Sequence, residues 1–244
     1  MSAAQDHEAE PNDPTRSGSP VPGGKDACLS QNEIEQLCLK AARGAGMSWG
    51  LAEEAGFAAA WLAARGLDGP GILLAQLTLA DGRPWDEICP LVAPGRFAAE
   101  DSGCLCPIAL GSTLCDHAAL PQASMENAPL RLGPVSCPLL LLPFLSAVAT
   151  ARRQSLCLRW PRGMVVLTAD GQIAGDATRL GAETSLTAEL ERHKPATERV
   201  PVTGDLPFLP SETLRGLNDL ALRTTVPASE ASRAGAGAVT GDND

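Results

Sequence analysis

The sequence predicts an α+β fold, in which an N-terminal helical hairpin and further helices pack with a small antiparallel sheet. Two observations lead there. Apolar residues recur at helical spacing from Ile34 to Ala45, and helix formers fill residues 49–65. The period then changes to short extended runs near residues 155–177, separated by Pro-Arg-Gly and Asp-Gly. Residues 27–227 are expected to form a single globular domain. Residues 1–26 are rich in Pro, Gly, Ser and charge, with almost nothing to bury, and are expected to be disordered; residues 228–244 are expected to form a flexible or docked acidic tail.

The first helix is signalled by a capping box, Ser30 with Glu33, and by a hydrophobic staple between Leu29 and Ile34. Gly44 and Gly46 are expected to supply its left-handed stop. A second helix runs over 49–65 and ends at Gly66, and its alanines and Gly56 let another backbone approach closely. Pro70 opens a shorter helix, which "ADGRP" breaks. Prolines punctuate 84–135, where loops with short helical turns are expected. "PLLLLPFLSAVATARRQ" reads as a buried helix with Pro138 in its first turn and a kink at Pro143. "SLCLRW", "GMVVLTA" and "GQIAGDA" form a three-stranded meander, residues 183–192 suit strand and helix equally, and Ser211 caps a final helix through Leu214, Leu217, Leu220 and Ala221.

Composition excludes some functions. The net charge is −10, there is no tyrosine, and no window clusters Lys and Arg, so nucleic acid is not an expected partner. No export signal is visible, and the most apolar run, interrupted by Pro143, is too short to cross a bilayer. The expected location is therefore cytoplasmic, away from membranes, with the eight cysteines as reduced thiols.

The segments "LSQNEIEQLCLKAARGAGMSWGLAEEAGFAAAWL", "CPIALG", "PLLLLPFL" and "TTVPASEASRAGAGA" with the closing "DND" resemble an uncharacterised bacterial family known as a domain of unknown function. The resemblance brings no catalytic residue with it. It implies that the acidic C-terminal tail is a shared feature.

Several constellations are candidates for chemistry. "GAGMSWG" has G-x-G-x-x-x-G spacing after a helix, whereas a dinucleotide loop needs G-x-G-x-x-G after a strand, so it reads as a turn joining two helices. Glu53 and Glu54 point about 100° apart on a helix and cannot act as one acid–base pair. One of them is a candidate to line a ligand pocket with Trp49 as a wall and Arg43 nearby; the alternative is a solvated face or an ion pair with Arg43. Cys104, Cys106, Cys115 and His117 are soft ligands within a short stretch, but their C-x-C and C-x-H spacing suits zinc poorly, and buried thiols are the preferred reading. Cys106 as a nucleophile would need His7, His117 or His193 beside it. Glu230, Arg233 and the terminal Gly-Asp-Asn-Asp are candidates for a flap whose acids close over a cationic ligand or coordinate a hard cation such as magnesium; the alternative is a docked tail without chemistry. No cofactor is assigned.

Two functions follow. One is a small-molecule-binding protein or metabolic enzyme with a pocket beside the 43–54 turn; the other is a noncatalytic accessory subunit that packs on a protein partner or forms a homodimer.

Overall fold

The computed structural model describes residues 27–100, 103–193 and 208–225. The expected tails at 1–26 and 228–244, His7, and the acidic groups proposed for a flap lie outside the described residues.

Helix α1 (Gln31–Gly44) begins as its sequence dictates. Glu33 N donates to Ser30 Oγ at 3.3 Å, and Ser30 N donates to the Glu33 carboxylate at 2.8 Å. Ile34 is buried, and partly buried Leu29 packs against the core cluster to which Ile34 belongs. The helix ends in a Schellman motif, in which Gly46 N donates to Arg43 O and Met47 N to Ala42 O, with Gly46 at φ 94° where a side chain is disfavoured. Gly44 is not part of this stop. It is still helical, and a Cβ there would lie 1.7 Å from the carbonyl oxygen of Leu220 on the last helix, α8 (Ser211–Leu222), so its smallness sets a helix–helix contact.

Helix α2 (Trp49–Ala63) is capped by Ser48 and stops in the same manner at Gly66, φ 72°. The expected close hairpin is present, since a Cβ on Gly56 would lie 2.7 Å from Glu35 O of α1. Helix α3 (Gly69–Ala80) starts with Asp68 accepting from Gly71 N at 2.8 Å and with Pro70 in its first turn.

The proline-rich stretch holds more regular structure than its composition predicts. It contains the short helix α4 (Trp85–Ile88), the hairpin β1 (Leu91–Ala93) with β2 (Arg96–Ala98), an eleven-residue helix α5 (Pro107–His117) and strand β3 (Leu130–Ser136). Pro107 opens α5, where its missing N–H is no loss. Pro134 falls in the register shift between Leu132 and Val135, where the ladder to its neighbour is already interrupted.

Pro143 does not kink a continuous helix. A 3-10 turn at Pro138–Leu141 precedes helix α6 (Leu142–Ala151), and Pro143 sits in the first turn of α6. The meander forms as expected from β4 (Leu156–Trp160), β5 (Gly163–Leu167) and β6 (Ile173–Gly175), all antiparallel. Helix α7 (Ala177–Gly181) leads into β7 (Ser185–Arg192), which settles the ambiguity of 183–192 as strand. Pro210, not Ser211, occupies the N-cap of α8.

The sheet is larger than expected and mixed, with order β1-β2-β3-β7-β4-β5-β6 and one parallel pair, β2 with β3. Strand β7 returns between β3 and β4 and joins the early hairpin to the late meander. Helices α1, α2, α3 and α8 pack together, while α5, α6 and the 3-10 turn connect α2 to the sheet. One buried cluster runs through all of them, from Ile34 to Leu220. Among the described residues no helix is long and apolar enough to cross a membrane.

Candidate functional site

The 43–54 turn is ordered by its own side chains. Trp49 is 61% exposed, yet its Nε1 donates to Glu53 Oε1 at 2.8 Å and the Arg43 guanidinium lies 5.4 Å from its ring centroid. Arg43 also donates to Met47 O, so it serves the turn and the indole in place of the expected ion pair with a glutamate. Glu53 and Glu54 diverge. Glu53 faces solvent, whereas half-buried Glu54 turns toward α5, where burial first, and then the charges of Asp116 and Glu53, push its carboxyl above the ordinary 4.5. The same crossing pushes the Cys115 thiol up to about 11, through burial and then Glu54 and Asp116.

The four soft ligands are not gathered. Cys106 sits at the N-cap of α5, and Cys115 and His117 lie in its last turn, about 14 and about 17 Å further along at 1.5 Å per residue. Cys115 Sγ lies 3.7 Å from Phe144 O, His117 Nδ1 lies 2.9 Å from Thr113 O, and the His117 ring meets Phe97 edge-on. Among the described residues no three His, Cys, Asp or Glu side chains converge to hold a metal ion. None of the eight cysteines is in a disulfide.

None of three clefts on the described surface is lined by Arg43, Trp49, Glu53 or Glu54. One of about 480 Å³ lies between Met125–Pro129 and Glu191–His193, and one of about 330 Å³ lies over Trp160 and Thr187–Glu189. The third, about 240 Å³, is the smallest of these three. It lies between the C-terminal half of α3 and the end of β3, lined by Gln76, Leu79, Ala80, Arg83, Ile88, Cys104, Ser136, Thr184 and Ser185.

Its floor is polar and buried. Gln76 is 2% exposed and Ser136 8% exposed, and Ser136 Oγ lies 2.6 Å from Gln76 Oε1 and 3.0 Å from Leu105 O. A hydroxyl has one proton to give. If Leu105 O accepts it, the Gln76 amide satisfies the pair by turning an N–H to Ser136 Oγ, which frees its carbonyl. Buried polar groups are costly unless paired, so this contact between two residues sixty positions apart fixes the local arrangement.

Beside it the backbone is strained. Cys137 has φ 43° and ψ 54°, a left-handed conformation that costs a non-glycine residue about 1–2 kcal/mol. Its N–H donates to Thr184 O at 2.9 Å, and Pro138 bars the right-handed alternative, so strand, turn and β7 together impose the bend. Strain of this sort tends to collect at functional sites.

The thiols here are not activated. Burial raises Cys104, against an opposing hydrogen bond from Ser136 and the Arg83 charge; burial, and then Cys104, raises Cys137 to about 11. Cys106 is likewise pushed to about 11, with burial the chief cause.

The N-terminal part of this assembly, from α1 through α3 to β2, is a recognisable unit of sequence. Residues 29–102 match DUF3726, a family described as a protein of unknown function. The resemblance to a domain of unknown function is thereby confirmed over that segment. The DUF3726 match includes Arg43, Trp49, Glu53, Glu54, and the Gln76 and Arg83 side of the cleft, while Cys104, Ser136, Thr184 and Ser185 follow it in sequence. No curated protein and no solved structure matches the chain.

Sequence reasoning missed Gln76, Arg83, Ser136, Thr184 and Ser185. A signal existed for one of them: Gln76 is the sole amide in the apolar run "GILLAQLTLA", a position that asks for a buried partner.

Proposed function

We propose that the protein binds a small polar metabolite, carrying a carboxylate or similar single anionic group, in the cleft between α3 and the β3 end. The buried Gln76–Ser136 pair on the cleft floor carries this reading. Arg83 offers the site's cation, Ser136, Thr184 and Ser185 offer hydroxyls, and Leu79 and Ile88 offer apolar wall. A few convergent polar groups in an apolar setting are what orient a ligand. The volume admits only a small molecule.

Binding is favoured over thiol catalysis. The thiolate is the reactive form, and Cys104 and Cys137 are both held above their ordinary value. Neither His117 nor His193 lines this cleft to serve as a base. The proposed small-molecule function has its pocket at the far end of α3 and not beside the 43–54 turn.

The test is thermal unfolding against a panel of small carboxylates and their neutral analogues. A ligand at a hundred times its Kd stabilises by about 2.7 kcal/mol, which raises the midpoint by roughly 5–10 °C in a chain of this size. The shift should shrink in Arg83→Gln for carboxylates only, and in Ser136→Ala for both series. A ligand whose shift survives both variants binds elsewhere.

A second reading, the noncatalytic packing protein, is favoured by one observation: the outward face of α2 exposes Trp49 and Phe57.

A further inference from the structure

Gln76 is a buried amide on the floor of the α3 cleft, and its two polar ends have different surroundings. Oε1 meets Ser136 Oγ at 2.6 Å, whereas Nε2 has no hydrogen-bond partner among the described residues. Nor is Nε2 one of the unpartnered atoms sealed from solvent, which among the described residues are Ser112 Oγ, Gln122 Oε1 and Trp160 Nε1. It therefore opens on the cleft that Gln76 lines, with both protons to give.

Of the two ways to place the Ser136 proton, the distance selects one. A contact of 2.6 Å is ordinary for O–H···O and shorter than N–H···O bonds, which run about 2.7–3.2 Å. Ser136 Oγ thus donates to Gln76 Oε1. Leu105 O does not need that proton, because it already accepts from Ser136 N at 3.1 Å. The hydroxyl holds the amide with its N–H end toward the cleft.

The rest of the cleft follows in order. Ala80 lies one turn beyond Gln76, Ile88 adds apolar wall, and Arg83 comes three residues past the end of α3. Among the lining residues Arg83 alone is charged. It meets Glu87 at 3.7 Å with both side chains exposed, too far for a hydrogen bond, so its N–H groups remain to hold an anion.

We propose that the ligand is a short carboxylate whose chain carries a neutral carbonyl oxygen, the carboxylate held by Arg83 and the carbonyl by Gln76 Nε2. A carbonyl oxygen takes an amide proton and brings none of its own to bury. An ammonium in its place would face N–H donors and lie buried without a counter-charge. A methylene would leave the amide without a partner. Gln76 is thereby the residue that sets specificity. This inference rests on the proposed binding of a carboxylate in the same cleft and adds which carboxylates are chosen.

Titration of the full chain with pentanoate, 4-oxopentanoate and 4-aminopentanoate tests it, since the three differ only at the fourth carbon; hexanoate and 5-oxohexanoate extend the series by one carbon. The keto acid of one length or the other should bind on the order of tenfold more tightly than its alkanoate, and the amine should not bind measurably. Gln76→Met should fold, because Ser136 can then donate to Leu105 O at 3.0 Å, and should bind keto acid and alkanoate alike. If that variant does not fold, the Gln76 side-chain amide resonance of the wild-type chain gives the readout, and it should move further with the keto acid than with the alkanoate. Equal affinity for keto acid and alkanoate, both weakened by Arg83→Gln, would overturn this inference and leave the carboxylate site standing. So would binding of the amine, a keto preference that survives Gln76→Met, or an amide resonance moved equally by both. If no member of the series responds to Arg83→Gln, the carboxylate site itself falls and this inference with it.

Discussion

Cys137 and Arg153 are the two described residues outside glycine with positive φ, and they differ in what holds them. Arg153, at φ 50°, occupies the left-handed position of a Schellman motif that ends α6, with its N–H donating to Thr150 O and Gln154 N donating to Ala149 O. Glycine is the residue this position favours, and the exposed arginine side chain has no role in the motif. Arg153→Gly should therefore stabilise the protein by about 0.5–1 kcal/mol, the left-handed penalty less the entropy glycine adds to the unfolded chain. A rise of about 2 °C in the unfolding midpoint is the expected reading, and a fall would show that the arginine makes a contact worth more than the strain. Cys137 is not equivalent. Its bend joins β3, β7 and the 3-10 turn beneath the cleft, so its conformation sets where Ser136 and Thr184 lie.

Among elements, the contact of α1 with α8 depends most on a single missing atom. A Cβ at Gly44 would fall 1.7 Å from Leu220 O, a backbone atom that no rotamer change can move aside. Gly44→Ala should force the two helices apart and cost about 1–3 kcal/mol or more, as overpacking does. Faster tryptic cleavage at Arg215 within α8, or at Arg223 just past its end, would report the separation; an unchanged digestion rate would show that α1 bends instead. The sequence made part of this element scale legible. The capping box, the α1–α2 hairpin and the β4–β6 meander were readable because each is governed by neighbours in sequence: Ser30 with Glu33, Gly56 within its alanines, Asp-Gly between strands. The role of Gly44 was not, because its partner Leu220 lies far along the chain. The same holds for β7, whose place between β3 and β4 is a matter of long-range pairing, and for Ser136, whose significance comes from Gln76 on another element. Prolines misled where tertiary position made them harmless, at Pro107 and Pro134.

For the molecule as a whole, its composition leaves few groups to titrate in mild alkali. There is no tyrosine, and the lysines are Lys25, Lys40 and Lys194 alone, so thiols dominate that range. Burial is the leading cause of every thiol shift, raising Cys38 from 9.0 to about 12 and Cys106, Cys115 and Cys137 to about 11, on elements from α1 to the 3-10 turn. In the unfolded chain these thiols ionise near 9.0, while the folded protein keeps them protonated. The unfolded state then binds fewer protons, so stability is fully present below 9.0 and falls as pH rises toward 11 and 12. Urea midpoints measured with a reductant present should therefore be flat from neutral pH to about 9 and drop steeply above it. Cys38→Ala removes one such group and should make the alkaline limb shallower, whatever it does to stability at neutral pH. A limb of equal steepness in that variant would mean that Cys38 ionises as readily in the folded protein as in the open chain, and that α1 admits water at its centre.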